Sequence, residues 1–309
     1  MPEALERVSG IIRESASSRS AAVREGVAGL FGGGGKMLRP GLLLLSARFG
    51  EIRERHYRLA AALEMLHMAT LVHDDVIDDS PVRRGLPAAH VVYGKKDAVL
   101  IGDFLLSRCM LLAEGQGGAA AGFARAISTV CEMEIEQDEG RFRCDTSERG
   151  YLRKVQGKTA LLFSSACFMG AREAGVGIGA SLRLRRVGHN IGIAFQITDD
   201  VLDYTGDPDR VRKPLGNDIR EGLVTMPVLC ALRLDRTGSL KKIFSRGSFT
   251  AEECAAIFAV VRECGGAEAA LKRAGDYTGR ALRDIAALPA GESRDMLENL
   301  AGRLLTRQG

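Results

Sequence analysis

Apolar residues return every three or four positions along almost the whole chain. Leu59, Leu63, Leu66, Thr70 and Asp74 form one such series, and residues 130–142 and 183–203 behave in the same way. This is the period of an α-helix. No convincing run of alternating β-branched residues breaks it. Glycine and proline clusters punctuate the pattern at 32–35, 81–87, 115–118, 175–179 and 205–216, and roughly a dozen helices of ordinary length fit between these breaks. Neither a linker nor a shift in composition divides the 309 residues. The pattern predicts an all-α protein with one domain over 1–309.

Two of the helical patterns end alike. His73-Asp74-Asp75-Val76-Ile77-Asp78 is echoed 125 residues later by Thr198-Asp199-Asp200-Val201-Leu202-Asp203. Residues i and i+4 share a helix face, so Asp74 and Asp78 present two carboxylates to one side, as do Asp199 and Asp203. His73 points about 100° away from Asp74. Like charges at this spacing repel unless a cation lies between them. Oxygen ligands with no cysteine nearby suit Mg²⁺, which is often shared with substrate phosphates. One such motif reads equally well as a solvated helix end; two copies with matching apolar interiors do not.

Cations placed among acids call for an anionic ligand. Lys36 and Arg39 lie one turn apart just beyond the glycines at 32–35, whose amides can approach an anion closely. Arg83 and Arg84 follow the first acidic motif, and paired guanidinium groups grip diphosphate oxygens or neutralise Asp78 and Asp79. Lys158-Thr159 opens an apolar run, where a lysine is costly unless paired. Lys213 sits in the loop ten residues after Asp203. Together these residues provide for two diphosphates, one bridged to the acids through Mg²⁺ and one held by basic side chains alone. The GxxxxGK[ST] phosphate loop is absent.

Composition narrows the field. Apolar residues make up 46% and charged residues 27%, with a net charge of +4 spread along the chain; a nucleic-acid partner is not indicated. The seven cysteines are irregularly spaced without Cys-x-x-Cys, as expected of reduced, buried thiols in a cytoplasmic protein. The first fourteen residues do not read as a signal peptide, and no apolar run nears the ~20 residues of a membrane span.

In order from Gly34 to Pro227, the motifs resemble those of the trans-isoprenyl diphosphate synthases, or polyprenyl synthetase family. Gly34-Gly35-Lys36-Met37-Leu38-Arg39-Pro40 looks like GGKRxRP, and 64–78 looks like ExxHxxTLxHDDxxD. Gly102-Asp103-Phe104-Leu105 matches GD(Y/F)L, Lys158-Thr159-Ala160 matches KTA, and 195–203 matches FQxxDDxLD. Residues 213–218 and 225–227 resemble KPxGxD and TLP. The resemblance implies an isoprenoid synthase fold, a barrel of long antiparallel helices around a deep central cavity, usually a homodimer. It implies two Mg²⁺ ions on Asp74 and Asp78 and a third on Asp199, with Asp75, Asp200 and Asp203 in close support. Arg83, Lys158 and Lys213 would hold the allylic diphosphate, and Lys36, Arg39, His67 and Arg84 isopentenyl diphosphate. Thr159, Gln196 and the backbone carbonyl of Lys158 would flank the reacting carbon. Three positions depart from the family pattern: Met37 replaces an arginine, Met133 a frequent glycine, and Leu223 a lysine that contacts phosphate.

The expected reaction joins isopentenyl diphosphate to an allylic diphosphate, giving a linear all-trans product. Ala69 and Thr70 lie about 6–7.5 Å along the helix before Asp74. In this family a bulky aromatic residue there ends growth early, so these small residues imply a product of twenty carbons or more. A fifteen-carbon product, and a non-catalytic partner subunit of a heteromeric synthase, are the alternatives. Terpene cyclisation fits less well, since the chain has no Trp and only five Tyr to stabilise folded carbocations.

Overall fold

The computed structural model describes residues 1–32, 36–83, 85–143, 147–206, 215–244 and 248–305. Helices supply nearly all its regular structure, arranged in two compact units. The first comprises Met1–Ile127 and Ser165–Leu182, the second Ser128–Ser164 and Arg183–Gly309.

The first unit contains α1 (Pro2–Ser15), α2 (Ala21–Gly32), α3 (Leu38–Ala47), α4 (Glu54–Ile77), α5 (Ala89–Tyr93) and α6 (Lys95–Ala113). Its hub is α4, against which α1, α3 and α6 pack. The periodicity predicts a one-sided apolar face for this helix, yet every residue from Leu59 to Leu66 is buried. A helix enclosed on all sides is apolar all round, and Ala60, Ala61 and Ala62 let its neighbours come close. Each fully buried leucine here contributes about 1.5–3 kcal/mol. After α4 the chain forms a short hairpin of β1 (Val82–Arg83) and β2 (Leu86–Pro87), turned by Gly85 at φ 80°.

The helix α7 (Ala119–Glu139) crosses from the first unit into the second. The sequence pattern carries it to Phe142, but Phe142 adopts φ 61° and its N–H donates to the carbonyl of Gly222 at 2.7 Å. Next come α8 (Glu148–Val155), a π-helical turn (Gln156–Ala160), α9 (Leu161–Glu173) and α10 (Ile178–Thr205). The remainder is α11 (Asn217–Arg220), α12 (Met226–Leu234), α13 (Ser239–Phe244), α14 (Ala251–Glu263), α15 (Gly266–Ala286) and α16 (Glu292–Leu305). The short helices α5, α11 and α13 raise the number beyond the predicted dozen. In the second unit Ile193, Ile197, Val201 and Tyr204 run down one face of α10 into a core with Met226, Val228, Ile257 and Val261. Tyr204 stacks on Phe258 with ring centroids 5.5 Å apart.

Of the described cysteines, Cys109, Cys167 and Cys230 are buried and Cys131 is exposed, and all are free thiols. Burial pushes the Cys109 thiol up to about 12. No helix among the described residues is long and apolar enough to cross a membrane.

Candidate active site

The first acidic motif closes α4. The amide of Asp78 donates to the carbonyl of Asp74 at 2.8 Å, so the i, i+4 alignment continues through the final turn. Both residues are half-buried, whereas Asp75 is buried. Arg83 folds back from the hairpin onto Asp75. Its Nε donates to Oδ1 at 2.9 Å and Oδ2 at 3.1 Å, and a terminal guanidinium nitrogen also bonds Oδ1. The bidentate fork satisfies a carboxylate that would otherwise be stranded in the interior. Lys95 pairs with Asp79 at 2.8 Å.

Behind this motif, Nε2 of His73 lies 3.2 Å from the carbonyl of Val99 and 3.6 Å from Oδ1 of Asp103. Gly102 makes this possible, because a Cβ there would collide with the imidazole ring. The Gly-Asp pair of the GDFL motif thus receives a histidine from the neighbouring helix.

Farther up α4, Ala69 has no exposed surface. Thr70 is half-buried, and its hydroxyl donates to the carbonyl of His67 at 2.8 Å. Of the two chain-length candidates, only Thr70 keeps surface. His67 is half-buried. Lys36, exposed, and Arg39, half-buried, flank the start of α3, where Met37 takes φ 47°. Arg84, Lys213 and the glycines at 33–35 lie outside the described residues.

The second motif repeats the burial of the first. Asp199 and Asp203 are half-buried and Asp200 is buried. Both oxygens of Asp200 are engaged, Oδ2 by the hydroxyl of Tyr151 at 2.5 Å and Oδ1 by Nε2 of Gln196 at 2.9 Å. Thr159 donates its hydroxyl proton to Oε1 of Gln196 at 2.7 Å. Asp203 caps α11, accepting from the amides of Asn217 and Asp218, both at 3.1 Å. Lys158 is paired with Glu134 at 2.7 Å, which answers the cost of a lysine at the head of an apolar run. Gly192 allows α10 to approach this turn, since a Cβ there would lie 2.6 Å from the Cα of Ala160. The Met133 side chain fills the space beside Gly157. Leu223 is half-buried, and Arg220 donates to the carbonyl of Leu215 at 2.7 Å.

Burial pushes the Asp200 carboxyl up to about 7, with the charge of Asp199 adding to the rise against the hydrogen bonds from Tyr151 and Gln196. Burial also raises Asp203 against its backbone donors. Both rises come first from burial, and a nearby cation would lower such acids again. Among the described residues no three His, Cys, Asp or Glu side chains form a ready-made cage. The donors that keep surface in the two motifs, Asp74, Asp78 and Asp199, are carboxylate oxygens, the kind Mg²⁺ takes together with waters and substrate oxygens. The residues present therefore suit this ion.

Sequence reasoning misses Tyr151, Glu134 and the π-turn. Tyr151 lies seven residues before Lys158, which places it on the helical face approaching the KTA turn, but the turn itself carries no sequence signature.

The family model for polyprenyl synthetase matches residues 21–261. Heptaprenyl diphosphate synthase component 2 of Geobacillus stearothermophilus is 41% identical over 272 residues, covering 87% of this chain and 84% of the relative. An all-trans-nonaprenyl-diphosphate synthase (geranyl-diphosphate specific) of Rhodobacter capsulatus is 37% identical, covering 96% and 92%. The crystal structure of a polyprenyl synthase from Caulobacter crescentus, complexed with calcium and isoprenyl diphosphate, superimposes with a TM-score of 0.94 at 35% identity, covering 100% of this chain and 96% of that one. The chain belongs to the polyprenyl synthetase family of trans-isoprenyl diphosphate synthases, has the all-α isoprenoid synthase fold, and is a chain-elongating trans-prenyltransferase.

Proposed function

We propose that this enzyme condenses isopentenyl diphosphate with an allylic diphosphate in a Mg²⁺-dependent reaction, giving a linear all-trans product of twenty carbons or more. The observation that carries the reading is the shared burial of the two acidic motifs. In each, the middle aspartate is buried and hydrogen-bonded, while the first and last keep some surface, although Asp203 spends both oxygens on the amides of Asn217 and Asp218. Asp74 and Asp78 would hold two ions and Asp199 a third, with Asp75, Asp200 and Asp203 supporting them. The Caulobacter relative, complexed with calcium and isoprenyl diphosphate, supports a divalent cation with this ligand class.

Bound Mg²⁺ supplies positive charge for the departing diphosphate as the allylic C–O bond breaks. Arg83, Lys158 and Lys213 hold that diphosphate, and Lys36, Arg39, His67 and Arg84 hold isopentenyl diphosphate. For Arg83 to reach the substrate it must share or leave Asp75. The double bond of isopentenyl diphosphate attacks the cationic carbon, and the released diphosphate takes the proton then lost. Thr159, Gln196 and the Lys158 carbonyl turn dipoles toward the cation.

The borders between the two units fall inside α7, α9 and α10 and not in linkers, which supports one working domain. On α6, Leu100 and Leu111 are about half exposed and eleven residues apart, within about 20° of one face. Two exposed leucines on one helix face support a homodimer. A second reading is a heteromer, favoured by the name of the Geobacillus relative, whose "component 2" implies another component in that enzyme.

The test incubates the purified chain with labelled isopentenyl diphosphate, Mg²⁺ and allylic primers of increasing length. A ladder ending at one length of twenty carbons or more is expected, and Asp74→Ala should abolish it. Normal turnover by Asp74→Ala would sink the metal assignment. Incorporation that requires an added second protein would favour the heteromer.

A further inference from the structure

We propose that Tyr151 is a positioning residue for prenyl transfer: its hydroxyl locks Asp200, so that Thr159 presents only lone pairs to the reacting carbon. This rests on the reading that places Thr159 beside that carbon.

The inference follows from counting donors. Asp200 accepts at both oxygens, from Tyr151 at 2.5 Å and from Gln196 at 2.9 Å. In its ionised form Asp200 accepts only, so the NH₂ of Gln196 then faces it and the amide oxygen faces Thr159. The hydroxyl of Thr159 has one proton, spent on that oxygen at 2.7 Å. Only its lone pairs remain, with the orientation a carbocation needs. Without the Tyr151 hydroxyl one carboxylate oxygen loses its donor and the Asp200 side chain can turn away from Gln196; the amide is then free to flip, and the Thr159 proton to turn toward the cation.

The π-turn supplies the register. Tyr151 and Thr159 are eight residues apart, which in a continuous α-helix puts them about 80° apart. The amide of Leu161 donates to the carbonyl of Gln156, and this wider loop absorbs about one extra residue. Thr159 then falls within about 20° of the Tyr151 face. Both side chains reach α10, at Asp200 and Gln196, one turn apart.

Steady-state kinetics of Tyr151→Phe, Thr159→Val and the double variant test this. Tyr151→Phe should lower kcat about tenfold, with KM for both diphosphates within about twofold of wild type. In the Thr159→Val background the same change should cost less than about twofold, because the chain it orients has lost its end. Wild-type kcat in Tyr151→Phe, a loss confined to KM, or equal losses in both backgrounds would overturn the proposal. If Tyr151→Phe does not fold, Tyr151→His, which keeps a ring N–H donor, should fold and retain kcat within about threefold; a folded variant slowed beyond about tenfold overturns the proposal. A wild-type chain inactive with every primer defeats the proposed function instead.

Discussion

At the residue scale, charge and burial divide the aspartates into two kinds. Asp74 and Asp78 keep surface, whereas Asp75 depends on Arg83, with side-chain exposures of 2% and 24%. Removing one partner of such a pair strands the other, so Arg83→Ala should cost about 3–5 kcal/mol of stability in urea denaturation. Replacing both, with Asp75→Leu and Arg83→Met, should regain most of it. His56 depends on pH with the same sign as a paired acid, but through burial and not through a partner. It is buried, its Nδ1 accepts the amide proton of Arg53 at 2.9 Å, and burial lowers its pKa. The folded chain binds this proton less readily than the unfolded chain. Its contribution is therefore intact above the unfolded value of about 6.5 and is lost as pH falls toward the folded one. Melting temperatures from pH 7.5 to 5.5 should fall more steeply for wild type than for His56→Gln, which keeps an acceptor without titrating in that range.

At the scale of elements, the helical period predicted the class of every long segment, and the two acidic motifs stand where α4 and α10 end. What the pattern could not convey was enclosure. Leu59 to Leu66 repeat with helical spacing, but spacing does not reveal that α1, α3 and α6 cover the other sides of α4. Nor does it reveal which aspartate of a pair turns inward, because that depends on Arg83 and Tyr151 arriving from elsewhere in the chain. The same limit applies to the two chain-length candidates, adjacent in sequence yet unequal in burial. Thr70→Phe should therefore shorten the product, read as an earlier end to the labelled ladder. Ala69→Phe, introduced where there is no exposed surface, should first cost stability through overpacking. An unchanged ladder in a folded Thr70→Phe variant would place the floor on another helix.

At the scale of the molecule, the exposed apolar surface on α6 needs a cause. Leu100 and Leu111 are 52% and 54% exposed, and a second copy would cover both. Sedimentation velocity should give a dimer, and Leu100→Glu with Leu111→Glu should shift it to monomer; an unchanged mass would locate the contact elsewhere. The π-turn has a consequence of another kind, in how this protein can change over generations. Its surplus residue is a matter of length, and substitution, the usual difference between relatives, alters side chains but never the count. Neighbouring positions can drift while Tyr151 and Thr159 stay in phase. Loss of a single codon within the turn would swing Tyr151 by about 100°, a change that no later substitution could reverse.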